Sequence, residues 1–185
     1  MTRDDKTISS PRLYLAPVGA SNAETLWRLM QTPELRTYQD LPTMARSQFV
    51  GLVSAHTRHP GLNGPGRYEW LIERVEDGSL LGWVSLRVAE GTSDNGEIGY
   101  SLLQEYRGRG YATEAVRALV DAAFQRARLR RVRAYCLPEN ARSRALLARI
   151  GFREDGRLKH GALLRGRAVD VLCYTLNNPL SLAST

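Results

Sequence analysis

Apolar and polar residues alternate with a period of two over residues 13–17, 68–75, 80–88, 97–103, 132–137, 152–159 and 168–176, which predicts strands. Helical spacing takes over between them. Leu26, Trp27, Leu29 and Met30 share one helix that Ser21 or Asn22 can cap, and Phe49, Val50, Leu52 and Val53 belong to a second over 45–56. Ala112, Ala115, Val116, Leu119, Ala123 and Phe124 define the longest helix, 111–128, and a fourth over 140–150 ends at Gly151 as its C-cap. Pro17 closes the first strand, Glu76-Asp77-Gly78-Ser79 turns a hairpin, and residues 161–166 join the last two strands. Irregular segments at 37–42 and 59–66 lie between these elements. This order predicts an α/β or α+β domain: a mixed sheet with helices on both faces. At 185 residues and 43% hydrophobic, the chain can bury one substantial core. One domain over 12–178 is expected, with a flexible arm (1–11) and a short tail (179–185).

Arg107-Gly108-Arg109-Gly110-Tyr111-Ala112 stands where a predicted strand gives way to the long helix. The first turn of such a helix offers unpaired amides and the positive end of its dipole, which favour an anion. Gly108 and Gly110 permit the backbone angles that aim successive amides at one phosphate, and Arg107 and Arg109 add charge. A plain Gly-rich turn is the other reading. Two nucleotide motifs are excluded by residue identity. A Walker loop needs Gly-Lys-Ser/Thr, where this chain has Gly110-Tyr111-Ala112. A dinucleotide fingerprint needs a third glycine at 113, which is Thr.

Arg107-x-x-Gly110-x-Ala112 resembles the Gln/Arg-x-x-Gly-x-Gly/Ala signature of the GNAT superfamily of acetyl-CoA-dependent N-acetyltransferases. Glu97-Ile98-Gly99-Tyr100, the run from Tyr106 to Ala115, Asn140-Ala141-Arg142-Ser143, Ile150-Gly151-Phe152 and Asp155-Gly156 are similar, in order and spacing, to the branch of ribosomal-protein N-terminal acetyltransferases. The resemblance implies a mixed, mostly antiparallel central sheet of six to seven strands, two of them splayed around the pantetheine arm of acetyl-CoA. It also implies that the amides from Arg107 to Ala112 hold the pyrophosphate, that Leu102 and Leu103 offer backbone N–H groups to the pantetheine, and that Asn140 binds or orients beside them.

Amide formation needs a base to free the attacking amine and a donor for the departing thiolate. Glu97, on the strand that leads to the phosphate loop, is the first candidate base; a surface carboxylate paired with an arginine is its other reading. Asp155 is the second candidate, one methylene shorter than the glutamate the branch often carries. The carbonyl oxygen that gains negative charge can be met by the amides near Leu102 and Leu103. Ser143 is the candidate donor to the thiolate, because Leu147 stands where many relatives carry a tyrosine. Helix capping is the alternative for both Asn140 and Ser143. Tyr135 and Tyr174 could substitute as acids, or be buried aromatics. The acceptor pocket is expected at Arg36, Tyr38 and the 159–167 segment, beside Glu97. A protein N-terminus is the expected acceptor, with small amines such as antibiotics, polyamines or amino sugars as the alternative.

The charge of +7 comes from 26 basic and 19 acidic residues, and it suits a polyanionic cosubstrate or an acidic partner. Arg126, Arg128, Arg130, Arg131 and Arg133 read as a solvated face, without interleaved aromatics to stack bases. A nonenzymatic CoA-sensing or RNA-binding module is the competing class. Cys136 and Cys173 read as reduced, buried thiols, and neither they nor His56, His59 and His160 have metal-ligand spacing, so no metal is expected. The chain reads as cytoplasmic, without a membrane segment, and the apolar C-terminal strands could form the edge of a homodimer.

Overall fold

The computed structural model describes residues 7–41, 43–56, 62, 64–89, 91 and 94–182. The chain runs β1 (Ile8–Ser9), β2 (Leu13–Pro17), α1 (Ala23–Met30), a 3₁₀ turn (Pro33–Arg36), α2 (Arg46–His56), β3 (Gly66–Arg74), β4 (Leu80–Val88), β5 (Asn95–Leu102), a second 3₁₀ turn (Gln104–Tyr106), α3 (Tyr111–Gln125), β6 (Arg131–Cys136), α4 (Ala141–Ile150), β7 (Arg153–Leu164) and β8 (Arg167–Asn177). Residues 1–6, 42, 57–61, 63, 90, 92–93 and 183–185 lie outside the described residues; parts of the predicted arm, of both irregular segments and of the tail fall there, while Pro179–Leu182 of that tail forms a third 3₁₀ turn.

The strands form one sheet in the order β1-β2-β3-β4-β5-β6-β8-β7, and β5–β6 is its one parallel pair among the described residues. Eight strands replace the expected six to seven, because Ile8–Ser9 pairs with Leu15–Tyr14 and so takes this part of the predicted arm into the sheet. Ile8 is buried, which explains why the pairing is stable at so short a length.

Two cores sandwich the sheet. Leu26, Leu29 and Met30 of α1 and Phe49 of α2 pack on Leu71 and Trp83, while Ala115, Val116, Leu119 and Ala123 of α3 and Leu146 and Leu147 of α4 pack on Val84, Leu86, Ile98 and Val132. Because strand side chains alternate, even-numbered residues of β5 face α3 and odd-numbered ones face the side of α1 and α2.

Two boundaries differ from expectation for identifiable reasons. The long helix stops at Gln125 rather than 128, where Ala127 and Leu129 donate back to Ala122 and Ala123 and Arg128 turns left-handed at φ 54. The last hairpin is longer than predicted: residues 161–164 are strand, and the turn is only Arg165-Gly166, both at positive φ (52 and 74). Gly161 is therefore a packing glycine, since a Cβ there would lie 2.7 Å from Val171 Cγ2.

Candidate active site

Gly108 and Gly110 adopt left-handed φ values of 79 and 81, and α3 begins directly after them. The first intrahelical acceptance is Gly110 O from Glu114 N at 3.0 Å, so the amides of Tyr111, Ala112 and Thr113 lack intrahelical partners and point out of the helix end. Arg12 braces this loop from the residue just before β2: its Nη1 donates to Arg109 O at 3.2 Å, its Nε to Glu114 Oε2 at 2.7 Å, and its guanidinium sits 4.6 Å from the Tyr111 ring centre. Arg107 Nε donates to Leu102 O at 2.9 Å, while Arg109 is exposed. The Tyr111 ring is buried, so only its backbone faces the loop. The residues present fit a pyrophosphate: convergent amides, open glycines and nearby guanidinium groups.

Beyond the loop, the parallel strands part. Their register ends at Ile98↔Ala134, although β5 continues to Leu102 and β6 to Cys136. The last residues of both strands thus border a wedge. Leu103 N donates to Leu81 O of β4 at 2.9 Å, so this amide is already committed and cannot serve the role expected for it. Successive strand amides point to opposite neighbours, which leaves the Leu102 amide turned toward the wedge.

On the α3 side of the wedge, Tyr100 Oη and Ser143 Oγ are 2.7 Å apart. Asn140 Oδ1 accepts from Ser143 N at 3.1 Å, so Asn140 is the N-cap of α4 and fixes the turn that carries the serine. Burial pushes the Tyr100 phenol far above its ordinary value and keeps it protonated. The buried Cys136 thiol also reaches Ser143, and burial raises it too; Cys173 is half-buried and both cysteines are free. Tyr174 is buried on this side, where its hydroxyl donates to Glu154 at 2.9 Å and accepts from Arg144 at 3.4 Å.

On the opposite face, Glu97 Oε2 accepts from Arg87 Nη2 at 2.5 Å, with 37% of the Glu97 side chain exposed. Ser101 Oγ accepts from Gln39 Nε2 at 2.8 Å, which holds the 37–41 segment over β5 and puts the exposed Tyr38 nearby. Arg36 turns inward, donating to Leu41 O and Gln31 Oε1 at 3.0 and 3.2 Å, so its guanidinium shapes this segment. Asp155 accepts from Thr175 Oγ1 at 3.0 Å. Thr175 is two strands from Glu97, roughly 10 Å at ordinary strand spacing, so the two carboxylates do not form one cluster. The 159–167 segment is the far end of the β7–β8 hairpin, eight residues from Thr175 along β8, or on the order of 25 Å. Tyr135 is an exposed residue of this face rather than a buried aromatic.

Tyr100, Gln39, Ser101 and Arg12 escaped the sequence reading. For Tyr100 a signal existed: it lies in phase with Ile98 and Leu102, hence on the helix side, opposite Glu97. The basic cluster lies mostly at the surface, with Arg126, Arg128 and Arg130 exposed, Arg126 Nη1 on Thr7 O at 2.7 Å, Arg131 Nε on Asn177 Oδ1 at 3.1 Å and Arg130 3.9 Å from Asp94. Among the described residues, no group of His, Cys, Asp and Glu could hold a metal, and no helix is long and apolar enough to cross a membrane.

Sheet, splayed strands and glycine loop together define an acyltransferase fold. The chain belongs to the GNAT acetyltransferases: the acetyltransferase (GNAT) domain matches residues 12–153. It is thus an N-acetyltransferase by family. It is 34% identical over 173 residues to the probable N-acetyltransferase YjcK of Bacillus subtilis, covering 90% of this chain and 94% of that one. Among solved structures, RimJ of Mycobacterium smegmatis in complex with CoA-disulfide is 26% identical with a TM-score of 0.79, covering 98% of this chain and 91% of the other. RimL, a ribosomal alpha-N-protein acetyltransferase in complex with coenzyme A, shares the fold at a TM-score of 0.79 and 22% identity, covering 93% and 98% of the two chains.

Proposed function

We propose that the protein transfers the acetyl group of acetyl-CoA to the N-terminal amine of a protein by direct attack. The observation that carries this reading is the parting of β5 and β6 beyond Ile98↔Ala134, with the phosphate loop at one side and the Tyr100–Ser143 pair at the other. The solved complexes of RimJ and RimL with CoA species, and the ribosomal substrate named for RimL, support the donor and the acceptor class.

When bound, acetyl-CoA supplies an activated acyl thioester. The Arg107 amide is taken by Gln104 O, so the amides of residues 108–112 and the Arg107 and Arg109 side chains would bind its phosphates, and the Leu102 amide would pair with the pantetheine as a strand does. Glu97 Oε2 accepts a proton from the acceptor amine, directly or through water, exchanging its bond to Arg87 for one to the substrate. Ser143 Oγ would donate a hydrogen bond to the departing thiolate sulfur, and Tyr100 Oη, staying protonated, would donate one to Ser143 Oγ across 2.7 Å, while the proton taken by Glu97 passes to solvent. Asn140 orients Ser143 through the helix cap. Asp155 is the alternative base, and the exposed Tyr38 contacts the acceptor chain on the Glu97 face.

Calorimetric titration with acetyl-CoA, CoA and ATP tests the donor, with Gly110→Trp as the blocked control. Micromolar binding of acetyl-CoA but not ATP, abolished by the substitution, is expected. Thiol release in the presence of N-terminal peptides, but not of polyamines or amino sugars, then assigns the acceptor. No binding of acetyl-CoA by the unmodified protein would overturn the proposal.

A further inference from the structure

Arg133 stands beside the candidate base in a row that crosses the sheet. By register, Arg87 of β4, Glu97 of β5, Arg133 of β6 and Thr175 of β8 are successive neighbours, and their side chains share the face opposite Tyr100. Anions lie on both sides of this arginine, yet it pairs with neither. Glu97 is taken by Arg87, and Asp155 by the hydroxyl of Thr175. Arg133 Nε is sealed from water and has no hydrogen-bond partner among the described residues. Nε itself is closed to any ligand, but the residue is only partly buried, so the unpaired charge of the guanidinium is open at its terminal nitrogens to an acceptor oxygen from outside the fold. The face is open for one: Tyr135, two residues further along β6 on the same side, is exposed, and its phenol senses both Glu97 and Arg133.

We infer that Arg133 selects the acceptor, binding a carboxylate that lies close to the amine received by Glu97. This rests on the N-terminal acetyltransferase reading and sharpens it to a substrate class. Neighbouring strands are about 4.8 Å apart, and an extended peptide advances about 3.8 Å per Cα. An amine at Glu97 and an acidic side chain one residue on therefore match the Glu97–Arg133 spacing. A guanidinium forms two parallel bonds to a carboxylate, which a neutral amide cannot reproduce with the same strength. The acceptor is thus a protein N-terminus whose second residue is Asp or Glu.

Steady-state kinetics with two peptides that differ only at the second residue, Asp against Asn, test this with the full chain and acetyl-CoA. The unmodified enzyme is expected to favour the acidic peptide roughly ten- to hundredfold in kcat/KM, through KM. Arg133→Met should bring that ratio close to one, and Arg133→Lys should keep part of it. Acetyl-CoA titration of both variants reports whether they are folded. Equal use of the two peptides by the unmodified enzyme overturns the inference without any variant. So does an undiminished ratio in Arg133→Met, or a defect confined to the KM for acetyl-CoA. Absence of transfer to both peptides, with acetyl-CoA bound, overturns the N-terminal reading itself and this inference with it.

Discussion

Tyr100 and Ser143 meet hydroxyl to hydroxyl at 2.7 Å, although one belongs to strand β5 and the other to the first turn of α4. The contact exists because β5 and β6 separate where they do and because Asn140 caps α4. Capping and chemistry, which read as competing roles in the sequence, act here through one another. The cap holds the serine, and the buried phenol, kept neutral, faces it as a hydrogen-bond partner.

If the two hydroxyls work as one relay, their losses will not multiply. Ser143→Ala should lower kcat about a hundredfold, within the span of general acid catalysis, and Tyr100→Phe about tenfold. The double variant should match Ser143→Ala alone. Thiol-release kinetics on all three, at saturating acetyl-CoA, check this; multiplied losses would mean two independent roles.

The glycines of the phosphate loop predict a separable defect. At φ 79 and 81, an alanine at 108 or 110 is held in the left-handed region at a cost of roughly 1–2 kcal/mol. At 108 an added Cβ meets nothing within 4 Å, whereas at 110 it comes to 3.4 Å from Arg12 Nη2. Both substitutions should lower Tm by a few degrees and weaken acetyl-CoA, with Gly110→Ala the more severe because it also displaces the brace. Calorimetry of melting and of binding measures both.

Much of this was legible in the chain. The periodicities located every element of five residues or more among the described residues, because each has an inner face with its own spacing. Ile8–Ser9 was not legible, since two residues carry no period and their place depends on pairing with β2 and on burial of Ile8 in the α3-side core. The phosphate loop could be read because its chemistry is backbone chemistry, encoded locally by Gly108 and Gly110. Glu97 could be proposed from its strand, but its bond to Arg87 depends on a register ten residues away. Arg133 was read as one of a solvated cluster, because sequence shows its neighbours along the chain and not the strands on either side.

The choice between two carboxylates reduces to a pair of isosteric substitutions. Glu97→Gln should cut kcat about a hundredfold, and Asp155→Asn severalfold at most, because Asp155 is held by Thr175, two strands and roughly 10 Å from Glu97. Transfer to a fixed peptide by the two variants decides it. A large loss in Asp155→Asn with little in Glu97→Gln would exchange their roles.

Glu114 links the phosphate loop to stability at acid pH. Burial pushes its pKa up, but bonds from the Ser10 hydroxyl, the Arg12 amide and the Arg12 guanidinium outweigh this and hold it below the ordinary value. A carboxyl whose folded pKa is depressed stabilises the fold above its unfolded value, near 4.5, and that contribution is lost as pH falls through the folded value. Glu114→Gln should therefore cost about 1–2 kcal/mol at pH 7, through the hydrogen bonds lost to a half-exposed arginine. Below pH 4 the gap between the two proteins should narrow, since the native side chain is then losing its charge. Denaturant melts at pH 7 and pH 3.5 measure the gap. Because Arg12 also holds Arg109 O, the same substitution should weaken acetyl-CoA binding at pH 7, and a stability loss without that weakening would separate the brace from the loop.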